Sequence, residues 1–144
     1  MGPKSNALSE LSYKRKYYMI QQQTLLKVVD NSGAILVKCI KVLNGFKKRY
    51  GCVGDYVTVS VKQLKSKSKK TCKIKRKEVY KALILKTKTR IWKKTGHAKM
   101  FTTNAVILLN KQNNPIATRI LTCVPINLRK KKLQKIITLS VGLV

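Results

Sequence analysis

The sequence predicts a mainly β protein, an antiparallel barrel or sandwich built from short strands. Three observations lead there. Short segments rich in branched aliphatics recur along the chain, each closed off by turn formers. One of them, Tyr56 to Val61, alternates cleanly: Val57, Val59 and Val61 face one way and Tyr56, Thr58 and Ser60 the other, the pattern of a half-buried strand. The third observation is the stretch from Ala82 to Asn110, around which the chain is organised. Two short apolar runs, Ala82–Leu85 and Ala105–Leu109, read as buried strands, although length alone does not exclude a helix segment. Between them lie Lys86, Lys88, Arg90, Trp92, Lys93, Lys94 and Lys99, with no acid and with Gly96 as the turn residue. This is the pattern of two core strands joined by a basic excursion that leaves the core to meet something negative.

In chain order, residues 1–18 read as an N-terminal extension. They carry scattered serines and the cluster Tyr13-Lys14-Arg15-Lys16-Tyr17-Tyr18, without sustained periodicity. An arm that orders on RNA and a targeting peptide are the two readings. Asn6 occupies the position where a myristoylation signal needs Ser or Thr. Residues 19–144 read as a single domain. Leu25, Leu26, Val28 and Val29 form a first strand, stopped by Asp30-Asn31-Ser32-Gly33, all turn formers. Ala34–Val42 is a second strand. Gly45–Gly54 is a loop carrying Lys47, Lys48, Arg49 and Tyr50. After the alternating strand, Lys62–Arg76 holds eight basic residues in fifteen and reads as an extended loop or hairpin. Val79–Lys86 returns to strand. Beyond Asn110, a turn at Gln112–Pro115 leads into an element from Ile116 to Val124, ended by Pro125. Asn127 caps a short helix, and Leu133, Ile136 and Ile137 lie at helical spacing.

Charge narrows the function. Against 33 lysines and arginines stand four acids, Glu10, Asp30, Asp55 and Glu78, a net charge of +29. With 44% hydrophobic residues the chain has material for a core, so this is not a charged disordered tail. Such a surface suits a polyanion, nucleic acid before membrane. No apolar run approaches the roughly 18 to 20 residues of a membrane-spanning helix. The cysteines, Cys39, Cys52, Cys72 and Cys123, make no CxxC pair, and His97 is the sole histidine, so neither a zinc site nor a disulfide framework is expected. Cys39 sits in an apolar run and reads as core. Asp30 and Asp55 read as turn residues. No Walker loop, dinucleotide fingerprint or acid–base constellation is present, so neither an enzyme nor a cofactor is expected.

The ordered motifs resemble those of one family, the universal large-subunit ribosomal protein fourteen, in its bacterial or organellar form. They are MIQQQT (from Met19), VVDNSGA (from Val28), CIKVL (from Cys39), KKRYGCVGD (from Lys47), NPIATRI (from Asn114) and NLRKKKLQKIITL (from Asn127). The family signature falls on Ala82–Leu85, Gly96, Phe101, Asn104, Ile107 and Leu108. Thr95, Met100, Thr102 and Thr103 depart from the usual turn, and Lys77-Glu78 stands where Gly-Asp is common. The resemblance implies a five-stranded β-barrel with small C-terminal helices. It also implies binding to large-subunit rRNA at the intersubunit face, and bridges to small-subunit rRNA. Large-subunit proteins three and nineteen are implied neighbours, as is a ribosome silencing factor.

The expected RNA contacts are Lys47, Lys48 and Arg49; Lys65, Lys67, Lys69, Lys70, Lys73, Lys75 and Arg76; Lys86, Lys88, Arg90, Trp92, Lys93 and Lys94; and Arg119 with Arg129, Lys130, Lys131 and Lys132. The competing expectation is a free single-strand-binding barrel. It needs several aromatic platforms, and only Trp92 and Phe101 stand out in the basic block. Lysine outnumbers arginine 27 to 6, a bias of AT-rich coding. With an N-terminal arm on a bacterial-type core, this points to a mitochondrial ribosome. A plastid or an AT-rich bacterial cytoplasm is the alternative.

Overall fold

The computed structural model describes residues 20–43, 45–65, 74–92, 95–130 and 133–144. Seven strands and two helices follow in order: β1 (Leu25–Val28), β2 (Ala34–Val42), β3 (Tyr56–Leu64), β4 (Val79–Lys86), β5 (Ile91–Trp92), β6 (Ala98–Lys99), β7 (Ala105–Leu109), α1 (Asn127–Lys130) and α2 (Gln134–Thr138). Five strands close a barrel in the order β1-β2-β3-β4-β7, and β5 pairs with β6 as a separate ribbon. The mainly β class, the five-stranded barrel and the small C-terminal helices are as expected.

The barrel is antiparallel at every seam but one. β1 and β7 run parallel, pairing Lys27 with Ala105 and Val28 with Val106. The reason is parity: strands that alternate in direction around a closed ring must be even in number. With five, one seam has to be parallel, so the expected wholly antiparallel barrel is a mixed one.

β3 buries Val57, Val59 and Val61 and leaves Tyr56, Thr58 and Ser60 half-buried, as its alternation requires. β4 and β7 do not alternate. Ala82–Leu85 and Ala105–Leu109 are buried at every position. Their even-numbered members, Ala82, Ile84, Val106 and Leu108, point into the barrel with Leu26, Val37 and Val59. Leu83, Leu85, Ile107 and Leu109 point outward into a second core with Ile120, Val124, Leu128 and Ile136. Two-sided burial explains why these strands read as unbroken apolar runs. The C-terminal segment supplies the second cover. Cys39 lies in the barrel core, where burial pushes its thiol pKa up.

The element expected from Ile116 to Val124 is not a continuous strand. It bridges Asp30 through Ile120 and Leu143 through Val124, and Pro115, just before it, bridges Leu109. The physical cause is a substitution of partners. Asn31 Oδ1 accepts hydrogen bonds from the backbone N–H groups of Thr118 (3.1 Å) and Arg119 (3.2 Å), and Asn31 Nδ2 donates to Thr118 Oγ1 (2.9 Å). At these two positions a side chain takes the place of a neighbouring strand, while Ile116, Leu121, Ile120 and Val124 donate to separate carbonyls, those of Leu108, Val29, Leu139 and Gly142.

Strand direction fixes where the loops sit. The β2–β3 loop, the β4–β7 excursion and the start of β1 share one end of the barrel. The β1–β2 turn and the β3–β4 loop share the other, where Lys65 N–H donates to Gly33 O (2.9 Å). The excursion contains the β5–β6 ribbon, with Trp92 paired to Ala98 and Gly96 in the turn at φ +82°.

Candidate nucleic-acid interface

The three described acids each clamp a loop. Asp30 is 1% exposed. Its Oδ1 accepts from the Ser32 N–H (2.9 Å) and the Ser32 hydroxyl, which makes the β1–β2 turn. Its Oδ2 accepts from the N–H of Leu108 (3.0 Å), tying that turn to β7. Asp55 Oδ2 accepts from Lys48 Nζ (2.7 Å), the Cys52 N–H (2.9 Å) and the Cys52 thiol (3.0 Å). Glu78 Oε2 accepts from the Lys75 N–H (3.4 Å) and the Tyr80 hydroxyl, at the base of the β3–β4 loop. Burial and the Glu78 hydrogen bond push the Tyr80 phenol up to about 12. The turn reading of Asp30 and Asp55 holds, and both do more than turn the chain.

Lys77 sits in the same loop base with φ +70°, a left-handed conformation. A Cβ there carries a steric cost. Its N–H donates to Val61 O (2.9 Å), so the conformation is held by the end of β3. Lys77→Gly should therefore raise stability, by about 0.5 kcal/mol after the added freedom of the unfolded chain is subtracted. A higher urea midpoint at unchanged m-value is the expected result, and a lower midpoint refutes the strain argument.

The basic clusters separate in space. Lys47 and Arg49 are exposed on the β2–β3 loop, and Lys88 and Arg90 are exposed at the root of the excursion, at the same barrel end. Lys65, Lys75 and Arg76 are exposed at the opposite end. Arg119 and Arg129 are exposed on the C-terminal segment. Lys67, Lys69, Lys70, Lys73, Lys93, Lys94, Lys131 and Lys132 lie outside the described residues, as do the side chains of Trp92 and Lys130.

Besides Lys47, whose ammonium lies 5.4 Å from the Phe46 ring centroid while its side chain stays exposed, three expected contacts are engaged within the protein. Lys48 is spent on Asp55, with the carboxylate side chain only 6% exposed. Lys86 is half-buried with its ammonium 5.2 Å from the Phe101 ring centroid, and burial pushes its pKa down. Arg76 Nε donates to Lys62 O (3.0 Å). Spacing in the sequence does not reveal these pairings. Two signature residues have structural roles at the excursion root: Phe101 supports Lys86, and Asn104 Oδ1 accepts from the Lys88 N–H (2.9 Å) while its carbonyl accepts from Lys27 N–H (3.0 Å). Phe46, absent from the expected contacts, is 93% exposed beside Lys47. Its signal was an aromatic between a glycine and a run of three cations.

A barrel whose acids are all committed to loops, and whose exposed loops carry cations, is equipped to bind a polyanion and holds no acid–base pair for catalysis among the described residues. A family model described as ribosomal protein L14p/L23e matches residues 19–144. The large ribosomal subunit protein uL14 of Carsonella ruddii (strain PV) is 46% identical over 122 residues, covering 85% of this chain and 97% of that protein. This chain belongs to the ribosomal protein L14p/L23e family, and is a structural constituent of the large ribosomal subunit rather than an enzyme.

Proposed function

We propose that the chain binds large-subunit rRNA through basic loops at both ends of its barrel, lies at the intersubunit face and contributes to bridges with small-subunit rRNA. The observation that carries this reading is the division of labour among charges. Asp30, Asp55 and Glu78 are taken up by loop clamps, whereas Lys47, Arg49, Lys65, Lys75, Lys88 and Arg90 are exposed. Cations at two opposed ends suit a protein that touches two RNA elements. Arg119 and Arg129, on the C-terminal cover, serve RNA or a protein neighbour. Large-subunit proteins three and nineteen, and a ribosome silencing factor, are the proposed protein neighbours on the strength of family membership.

The proposed compartment is a mitochondrial ribosome, with residues 1–18 as an arm preceding the family-matched span. The bacterial relative favours a second reading, an AT-rich bacterial cytoplasm.

Sedimentation of native extract across salt concentrations tests both. Phosphate contacts make binding steeply salt-dependent, with about 0.7 to 0.9 units of log–log slope per contact. Co-migration with large subunits through moderate salt, followed by release at high salt, is the expected result. Recovery solely in light fractions refutes the RNA-binding proposal. The organelle or cytoplasmic fraction carrying the subunits decides the compartment.

A further inference from the structure

We propose that Phe46 is a base-stacking residue: an unpaired base of large-subunit rRNA stacks on its open face, next to phosphates held by Lys47 and Arg49. This rests on the rRNA-binding reading above and adds a contact that no basic cluster implies.

Phe46 stands at the tip of the β2–β3 loop and is 93% exposed, more than any other large apolar side chain described. The fold gains almost nothing from it, because the benefit of an apolar ring comes from burying its surface. Nor does the turn need an aromatic. The bend is made by its neighbours, Gly45 at φ +153° and Lys47 at φ +51°. What the ring does is hold a cation. Lys47 Nζ lies 5.4 Å from the ring centroid, within cation–π range. A ring this exposed with an ammonium near one face presents its other face to solvent.

The tip is also held in place. Lys48, two residues on, is locked to buried Asp55 at 2.7 Å, and Gly51 exchanges backbone hydrogen bonds with Ile20 (2.7 and 3.4 Å). The ring therefore projects from a braced loop, which lowers the ordering cost on binding. Beside it runs a groove lined by Gln21, Gln22, Lys41, Lys47, Arg49 and Tyr50. Amides, cations and a second aromatic around an exposed ring match the chemistry of single-stranded RNA recognition: phosphates to cations, base edges to amides, a base face to the ring. A single exposed apolar residue is ordinary on a surface. An aromatic on a braced tip, stacked with a cation and bordering a basic groove, has a defined ligand.

The test uses the full chain and full-length large-subunit rRNA transcribed in vitro, with equilibrium binding measured across salt concentrations. Phe46→Ala should weaken binding by roughly 5- to 150-fold, the usual range for losing one stacked base. Its salt slope should stay unchanged, whereas Arg49→Ala should lower the slope by about one unit. Phe46→Tyr and Phe46→Trp should restore affinity. Phe46→Leu, which keeps apolar bulk without a π face, should not. All four variants should keep the parent's urea midpoint, since the ring packs on no core. If Phe46→Ala binds as tightly as the parent while Arg49→Ala weakens, the stacking proposal is overturned and the rRNA reading stands. Full rescue by Phe46→Leu also overturns stacking. If the parent shows no salt-dependent binding at all, the rRNA reading itself fails.

Discussion

Asp55→Ala is expected to lower the unfolding free energy by about 3 kcal/mol, and to loosen the β2–β3 loop. The residue is 4% exposed, and its carboxylate accepts from the Lys48 ammonium and from the Cys52 N–H and thiol. Removing it leaves the Cys52 N–H without its acceptor in a tight turn. That turn is also where Gly54 N–H donates to Ile84 O (2.7 Å) and Ile84 N–H donates to Asp55 O (3.0 Å), so the disturbance enters the end of β4. The ion pair is the smaller part. Lys48 keeps 24% of its side chain in solvent, so it swings into water when its partner is lost. Lys48→Ala should accordingly cost only about 1 kcal/mol, and the coupling in a double-mutant cycle should be of that size or less. Asp55→Asn retains an acceptor for the N–H but no charge, and should fall between the two. Urea unfolding of the parent and the four variants measures all of this. A loss below about 1 kcal/mol for Asp55→Ala would mean that the loop holds its shape without the clamp. If the proposed rRNA contact at this loop holds, the same variant should weaken rRNA binding, because Phe46, Lys47 and Arg49 then lose their support.

Much of this architecture was legible in the sequence, for identifiable reasons. β3 was read from strict alternation, since one face meets the barrel core and the other is half-covered. β4 and β7 were read as buried strands from continuous apolar runs. That they face two different cores follows only once the C-terminal segment is seen lying over them. The parallel seam was latent in the strand count. The Ile116–Val124 element is not legible as an irregular segment because its backbone partners are scattered: Thr118 and Arg119 donate to the Asn31 side chain, and Ile120, Leu121 and Val124 to the carbonyls of Leu139, Val29 and Gly142. At the interface, the basic clusters were visible as composition, but not their pairings. Lys47, Lys48 and Arg49 are consecutive and look alike in sequence. In the structure two are exposed and one is held by Asp55. Local composition carries no sign of which lysine meets an acid seven positions on, because that depends on how the loop closes. Phe46 is not singled out by the sequence because its exposure depends on how the loop is braced, which local composition does not show.

Two neighbouring substitutions on β7, Ile107→Ala and Leu108→Ala, are expected to be the most damaging, each costing about 2 to 5 kcal/mol. On a strand with one wet face, adjacent positions differ sharply. Val59→Ala on β3 should be costly and Ser60→Ala should stay within about 0.5 kcal/mol of the parent. β7 has no wet face. Ile107 is 1% exposed and packs outward under Ile120, Val124 and Leu128, whereas Leu108 is 0% exposed and fills the barrel. Truncating either opens a cavity in a different core, so the double variant should be close to additive despite the adjacency. The backbone N–H of Leu108 still donates to Asp30 Oδ2 in both variants, so the β1–β2 turn stays attached to β7 and the measured loss reports packing alone. If Ile107→Ala were cheap, the C-terminal segment would be a loose wrapping and Arg119 and Arg129 would have no fixed position to bind from. Comparable losses at both positions would establish that α1, α2 and the segment before them are part of the folded core. The cations at the excursion root and on the C-terminal cover would then be held in fixed relative positions by one cooperative unit, which is what the proposed binding role requires of the fold.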